Sequence, residues 1–135
     1  MALVWTDSLK VGNDVMDADH QAMLTLLARF PGTDDAAFTA LFGELVEHLT
    51  GHFAREDQLM RTHDFFAYPH HHGEHEAVLA DLRALLAAAL AGDTAGARAF
   101  IATQIEPWFL NHRDTMDWVT AQFLRGDTCC GCSMI

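Results

Sequence analysis

Two residue pairs spaced one helical turn apart constrain this chain more than any other feature. In His71-His-Gly-Glu-His75 the outer histidines project from one face if the segment is helical, and His52-Phe-Ala-Arg-Glu56 repeats the spacing with a carboxylate in second place. His20 follows Asp17-Ala-Asp19 upstream, and His112 and Asp117 lie downstream. Five imidazoles and two carboxylates are thus spread over four segments of helical periodicity. Four helices that turn such groups inward describe a two-metal centre inside a bundle. The fold expected is all-α: an up-down-up-down four-helix bundle with an extended N-terminal arm.

The 135 residues leave room for one domain and one sizeable core. The bundle is expected over 1–125, and 126–135 as a flexible, cysteine-containing tail. Half of the residues are apolar, which argues against disorder, yet no apolar run is long enough to cross a bilayer. The Met1–Lys10 stretch lacks the basic start and apolar block of a secretory signal. With 19 Asp+Glu against 8 Lys+Arg, the formal net charge is -11. Such a surface repels phosphate backbones and anionic headgroups, so neither nucleic acid nor a membrane is an expected partner. No motif specifies a protein partner, and a monomer is expected. The three cysteines, Cys129, Cys130 and Cys132, are confined to the tail. An odd count placed there is no disulfide framework and points to a reducing, cytoplasmic compartment.

Along the chain, residues 1–15 read as an arm laid over the bundle, with Trp5 plugging one end. A first helix is expected from about Asp17 to Phe30, where Pro31-Gly32 ends the run. A second starts near Thr33 or Asp34 and continues to Thr62, with Gly51 allowing a close helix–helix approach. Phe65, Phe66 and Tyr68 are expected to fold back onto the bundle, and Pro69 suits the first turn of a third helix ending at Gly92. Three i,i+4 pairs compete there: His70/Glu74, His71/His75 and His72/Glu76. The apolar stripe Val78, Leu79, Leu82, Leu85, Leu86 selects His71/His75 and leaves the others at the surface or behind the ligands. The fourth helix, capped by Asp93-Thr94, runs to about Leu124 with Ile101, Ile105, Trp108, His112, Met116, Val119 and Phe123 inward. Pro107 should kink it and free the carbonyl of Thr103. His112 and Asp117 stand five apart and share no stripe of a regular helix. They converge if the helix carries a π-type turn or if the ligand sphere is wide.

Each candidate ligand has a bland counterpart. A lone histidine such as His20 on an apolar stripe is more often a hydrogen-bonded core residue. Glu56 on a buried face needs a cation, and Arg55 or Arg61 could supply it without any metal. Jointly the seven are more specific, because they fall one or two per helix on inward faces. Imidazole and carboxylate without thiolate suit iron, manganese or zinc. Two octahedra that share both carboxylates and one oxygen atom keep three terminal places each, and five histidines fill all but one. That place is where a small molecule would bind.

At these residues the chain resembles the hemerythrin family, of its single-domain bacterial kind. The likeness is carried by Val11-Gly-Asn-Asp-Val-Met-Asp-Ala-Asp-His20-Gln, His52-Phe-Ala-Arg-Glu56-Asp with Met60, the His71/His75 pair, and Trp108, His112 and Asp117. It covers nearly the whole length apart from the tail. The resemblance implies two iron ions in a non-haem, oxo- or hydroxo-bridged centre that binds O2 reversibly, with no catalytic residues. It assigns His71, His75 and His112 to one iron, His20 and His52 to the other, and Glu56 and Asp117 as bridges. Leu24, Phe53, Trp108, Phe109 and Met116 lie near the ligands and are candidates for a dry O2 pocket. His48, one turn before His52, departs from the tyrosine frequent in the family and could add a hydrogen bond near the site. Asp57 is expected as an ordinary surface residue. The tail cysteines and the terminal Cys-Ser-Met-Ile lie outside the shared pattern.

Three functions follow as expectations: an O2-binding protein (carrier, store or sensor), a di-iron oxidoreductase or peroxidase-type enzyme, and a sensing module acting through a separate partner. The five-histidine set favours the first, since carboxylate-rich sites favour oxidation chemistry.

Overall fold

Asn13 opens the first helix: its side-chain oxygen accepts the Met16 N–H at 3.0 Å, and α1 (Asp14–Leu27) follows. The helix therefore begins and ends three residues earlier than apolar periodicity alone indicates, because an asparagine cap outweighs the stripe at a helix start. Residues 3–126 are described in this computed structural model, so Cys129, Cys130, Cys132 and most of the expected tail lie outside them. The Asp34 carboxylate accepts the Ala37 N–H at 2.8 Å and starts α2 (Asp35–Thr62). Pro69 sits in the first turn of α3 (Tyr68–Leu90), and Gly92 beyond its end takes the left-handed φ of +102° that favours glycine.

The fourth limb is segmented. α4 (Ala95–Thr103) stops at Gln104, α5 (Ile105–His112) restarts at once, a π-helical turn covers Arg113–Asp117, and α6 (Trp118–Leu124) completes the chain. Pro107 has no N–H to offer the Thr103 carbonyl, so the break falls where the sequence places it. All described elements are helical. Short links join α1 to α2, α2 to α3 and α3 to α4, each packed on its predecessor, and α6 lies against α2. This is the expected helical bundle.

One residue inserted by the π turn shifts everything after it by about 100° around the axis, because a regular helix advances that much per residue. Val119, expected inward, is therefore 42 % exposed, while Thr120 and Ala121 are buried in its stead. Two aromatic expectations also part company. Phe65 is buried against Phe123, but Phe66 is 77 % exposed. Gly51 does not serve a helix–helix approach. A Cβ there would meet the Arg55 guanidinium of the same helix at 3.1 Å.

The core is filled by Phe38, Phe42, Leu45, Leu49, Phe53, Leu82, Ile105 and Phe109, all with negligible exposure. Along α2 this apolar filling gives way to buried His52 and Glu56, so the polar groups sit inside the bundle rather than in a surface cleft.

The arm is not wholly extended. A 3-10 turn occupies Asp7–Leu9, with Leu9 and Val11 buried and Trp5 half-buried against the core. Its anchor is Arg113 of the π turn, which donates to the carbonyls of Leu9 (2.8 Å), Ser8 (2.8 Å) and Lys10 (3.1 Å). The Asp17 carboxylate accepts the Val11 N–H at 2.8 Å. Charged donors to backbone contribute more than neutral ones. Arg113→Ala should therefore destabilise the metal-free chain by about 1–3 kcal/mol in denaturant titrations and expose the arm to protease. Unchanged stability would show that the arm docks without help from Arg113.

Candidate metal centre

All seven residues singled out in the sequence meet inside the bundle, each essentially inaccessible to solvent. α1 supplies His20, α2 supplies His52 and Glu56, α3 supplies His71 and His75, α5 supplies His112, and the π turn supplies Asp117. The π turn brings His112 and Asp117 together: the His112 Nε2 lies 3.1 Å from Asp117 Oδ1.

The ligand atoms fall into two groups that share the carboxylates. On one side, Glu56 Oε1 lies 3.1 Å from His75 Nε2 and 3.4 Å from His71 Nε2, and Asp117 Oδ1 lies 3.1 Å from the Nε2 atoms of His71 and His112. On the other, Glu56 Oε2 lies 2.6 Å from His52 Nε2, and Asp117 Oδ2 lies 2.8 Å from His20 Nε2. Each carboxylate thus turns one oxygen to the three-histidine side and the other to the two-histidine side. That division suits a pair of cations spanned by both carboxylates.

The described residues do not satisfy these atoms. Glu56 Oε1, both oxygens of Asp117 and His20 Nε2 are buried without a hydrogen bond, although His20 and Asp117 approach closely. They lie close but do not meet as a hydrogen-bonded pair. Leaving each such atom unmet costs about 1–3 kcal/mol. The salt-bridge alternative for Glu56 fails on geometry. Arg55 instead grips Asp19 with two bonds of 2.9 and 2.7 Å, and Arg61 turns to Gln58 and the Tyr68 ring. Nitrogen and carboxylate donors, buried and orphaned, fit first-row metal ions.

Behind the ligands stand three groups: Glu74, one of the residues expected at the surface or behind them, Asp57, expected at the surface, and Thr120, which no sequence pattern marks. Asp57 is buried, not a surface residue: its carboxylate accepts from His75 Nδ1 at 3.2 Å and His72 Nδ1 at 2.9 Å. Glu74 accepts from His112 Nδ1 at 2.8 Å. Thr120 Oγ1 lies 2.7 Å from His71 Nδ1 and gives its only proton to the Met116 carbonyl at 2.9 Å, so it accepts from His71. These acceptors fix the Nδ1–H tautomer and leave each Nε2 lone pair facing the centre. His72 is 37 % exposed on its side chain, and His70 and Glu76 face solvent, as the apolar stripe implies. His48 bonds the Asp19 carbonyl at 3.0 Å, with its ring 5.9 Å from that of His52.

Charge follows geometry. Burial alone would depress the His20 imidazole, but Asp117 and Glu56 beside it raise it to about 10. His71 is raised to about 9 against the same burial and by the same two carboxylates. Burial pushes Glu56 and Asp117 up, yet the surrounding imidazoles hold both well below the usual carboxylate range. In the metal-free chain, protons on histidine stand in for cations.

Fold and site together define a class: a helical bundle with a buried histidine–carboxylate centre suited to two metal ions. The profile of the Hemerythrin HHE cation binding domain matches residues 11–123. The bacteriohemerythrin of Ralstonia nicotianae is 33 % identical over 89 % of this chain and 87 % of its own, and that of Aquifex aeolicus is 32 % identical over 85 % and 92 %. The myohemerythrin of Riftia pachyptila is 29 % identical over 85 % and 88 %. No solved structure gives a significant match. The chain belongs to the hemerythrin family. Membership implies a non-haem di-iron centre and oxygen binding in place of enzymatic turnover. Among the described residues, no helix is long and apolar enough to cross a membrane.

The raised histidines set the pH response of the metal-free chain. A group whose pKa rises on folding contributes stability below its unfolded value, near 6.5, and loses it as pH climbs through the folded value. Metal-free protein should therefore lose stability between about pH 6.5 and pH 10, in the window set by His71 and His20. Loading with metal near neutral pH should release at least one proton from each, measurable in weakly buffered solution. Metal uptake without proton release would contradict this account.

Proposed function

We propose that this protein binds O2 reversibly at a di-iron centre, serving as an oxygen carrier, store or sensor in the cytoplasm as a monomer. His71, His75 and His112 would hold one iron and His20 and His52 the other, with Glu56 and Asp117 shared between them. The reading is supported above all by the two-sided approach of the carboxylates, with one oxygen of each toward each histidine group. Three terminal histidines on one side and two on the other leave the coordination place for O2 at the two-histidine ion. When bound, such a pair supplies the two electrons that reversible O2 binding requires.

The residues around it keep that place dry and shaped. Phe109 sets its ring edge-on to His20 at 5.1 Å between centroids, and Leu24 stands one turn beyond His20 on α1, both buried. Phe53 stacks on His75 at 4.0 Å and tilts toward His52 at 5.1 Å, while Trp108 stacks on His112 at 4.6 Å. Met116 is half-buried beside Asp117. Together these five form the proposed O2 pocket wall, excluding water that would compete for the open place.

Iron-loaded, aerated protein should show oxo-to-iron charge-transfer absorption that vanishes on deoxygenation and returns with air. Irreversible bleaching would contradict the proposal. His75→Ala should lose iron from one position, whereas His72→Ala should keep its iron content, since His72 meets the Asp57 carboxylate and the Tyr68 ring, not a ligand position.

A further inference from the structure

The two halves of the centre are not supported alike. On the three-histidine side every Nδ1 has a protein acceptor: Thr120 for His71, Asp57 for His75 and Glu74 for His112. Two of the three acceptors are carboxylates. On the two-histidine side, the Nδ1 atoms of His20 and His52 are buried with no acceptor among the described residues. A carboxylate behind an imidazole makes it a stronger ligand and locks its ring. Removal of such a partner typically weakens metal binding about 10–100-fold. A ring with no acceptor has neither gain, and on binding a metal it must bury an unpaired N–H.

We infer that the metal positions are unequal by construction: the His71/His75/His112 position fills first and retains its ion, and the His20/His52 position is the exchangeable one. This rests on the two-metal reading and adds an order of assembly, with Asp57, Glu74 and Thr120 as the positioning residues that set it. None of the three occupies a ligand place. Thr120 reaches His71 only because the π turn shifts α6 by one residue, so the turn serves the outer support as well as Asp117. The chain should accordingly pass through a one-metal species, and a chelator should return it there.

Zinc or cobalt ions, titrated into the metal-free full chain and followed by calorimetry and cobalt absorption, test this without oxygen chemistry. The expected isotherm has two steps, the first at least about tenfold tighter. Thr120→Val, which keeps the shape and removes the acceptor, should weaken the first step by about 10–100-fold and leave the second unchanged. Thr120→Ser should restore it, and Asp57→Asn should weaken it likewise. Thermal melts of the metal-free variants separate these effects from misfolding. Two equal sites, or variants that weaken both steps together, would overturn the inference. A wild-type chain that binds fewer than two ions would instead overturn the two-metal reading itself.

Discussion

Glu56 and Asp117 are two carboxylates buried together in the middle of a helical bundle, and the arginines nearest Glu56 in sequence, Arg55 and Arg61, turn elsewhere. Bringing two anions out of water side by side is prohibitive unless positive charge accompanies them. In this chain the compensating groups are five imidazoles from four limbs of the bundle. The protons they carry are interchangeable with metal ions, and that exchange explains the perturbed titration of the histidines and the orphaned oxygens alike. The architecture of the interior serves this requirement, with apolar filling at one end of α2 and a polar cluster at the other.

The deformations of the fourth limb gain meaning from the same demand. A regular helix could not place His112 and Asp117 on one centre, because five residues span well over one turn. The π turn corrects the phase, aims Asp117 inward and carries Thr120 behind His71. It also places Arg113 under the N-terminal arm, so the same irregularity that completes the centre fastens the arm over the bundle. Local distortion, ligand geometry and the docking of a distant segment are therefore coupled in one stretch of chain.

How much of this was legible beforehand depended on spacing. The i,i+4 pairs, the choice of His71 and His75 over their neighbours and the break ahead of Pro107 can be read, because each follows from helical periodicity or a missing N–H, and a π turn is one of two ways the spacing allows His112 and Asp117 to meet. What escaped depended on the consequences of irregularity. Helical periodicity carried straight through the π turn puts Val119 inside, whereas the extra residue turns Val119 out and Thr120 in. Asp57 looked like a surface residue because its partners, His72 and His75, lie on another helix, and pairings between helices leave no periodic trace. The start of α1 shifted because Asn13 caps it, a signal that the apolar stripe obscured. The identity of the ions was never in the spacing. It came from the family.

The account turns on the claim that this buried cluster is completed by two cations shared between Glu56 and Asp117. Native mass spectrometry of the folded chain, loaded with ferrous iron under nitrogen and freed of excess metal, tests it most directly. The account predicts two iron ions per chain, reduced to fewer by Glu56→Ala. A single bound ion, or folded protein that retains none, would contradict it.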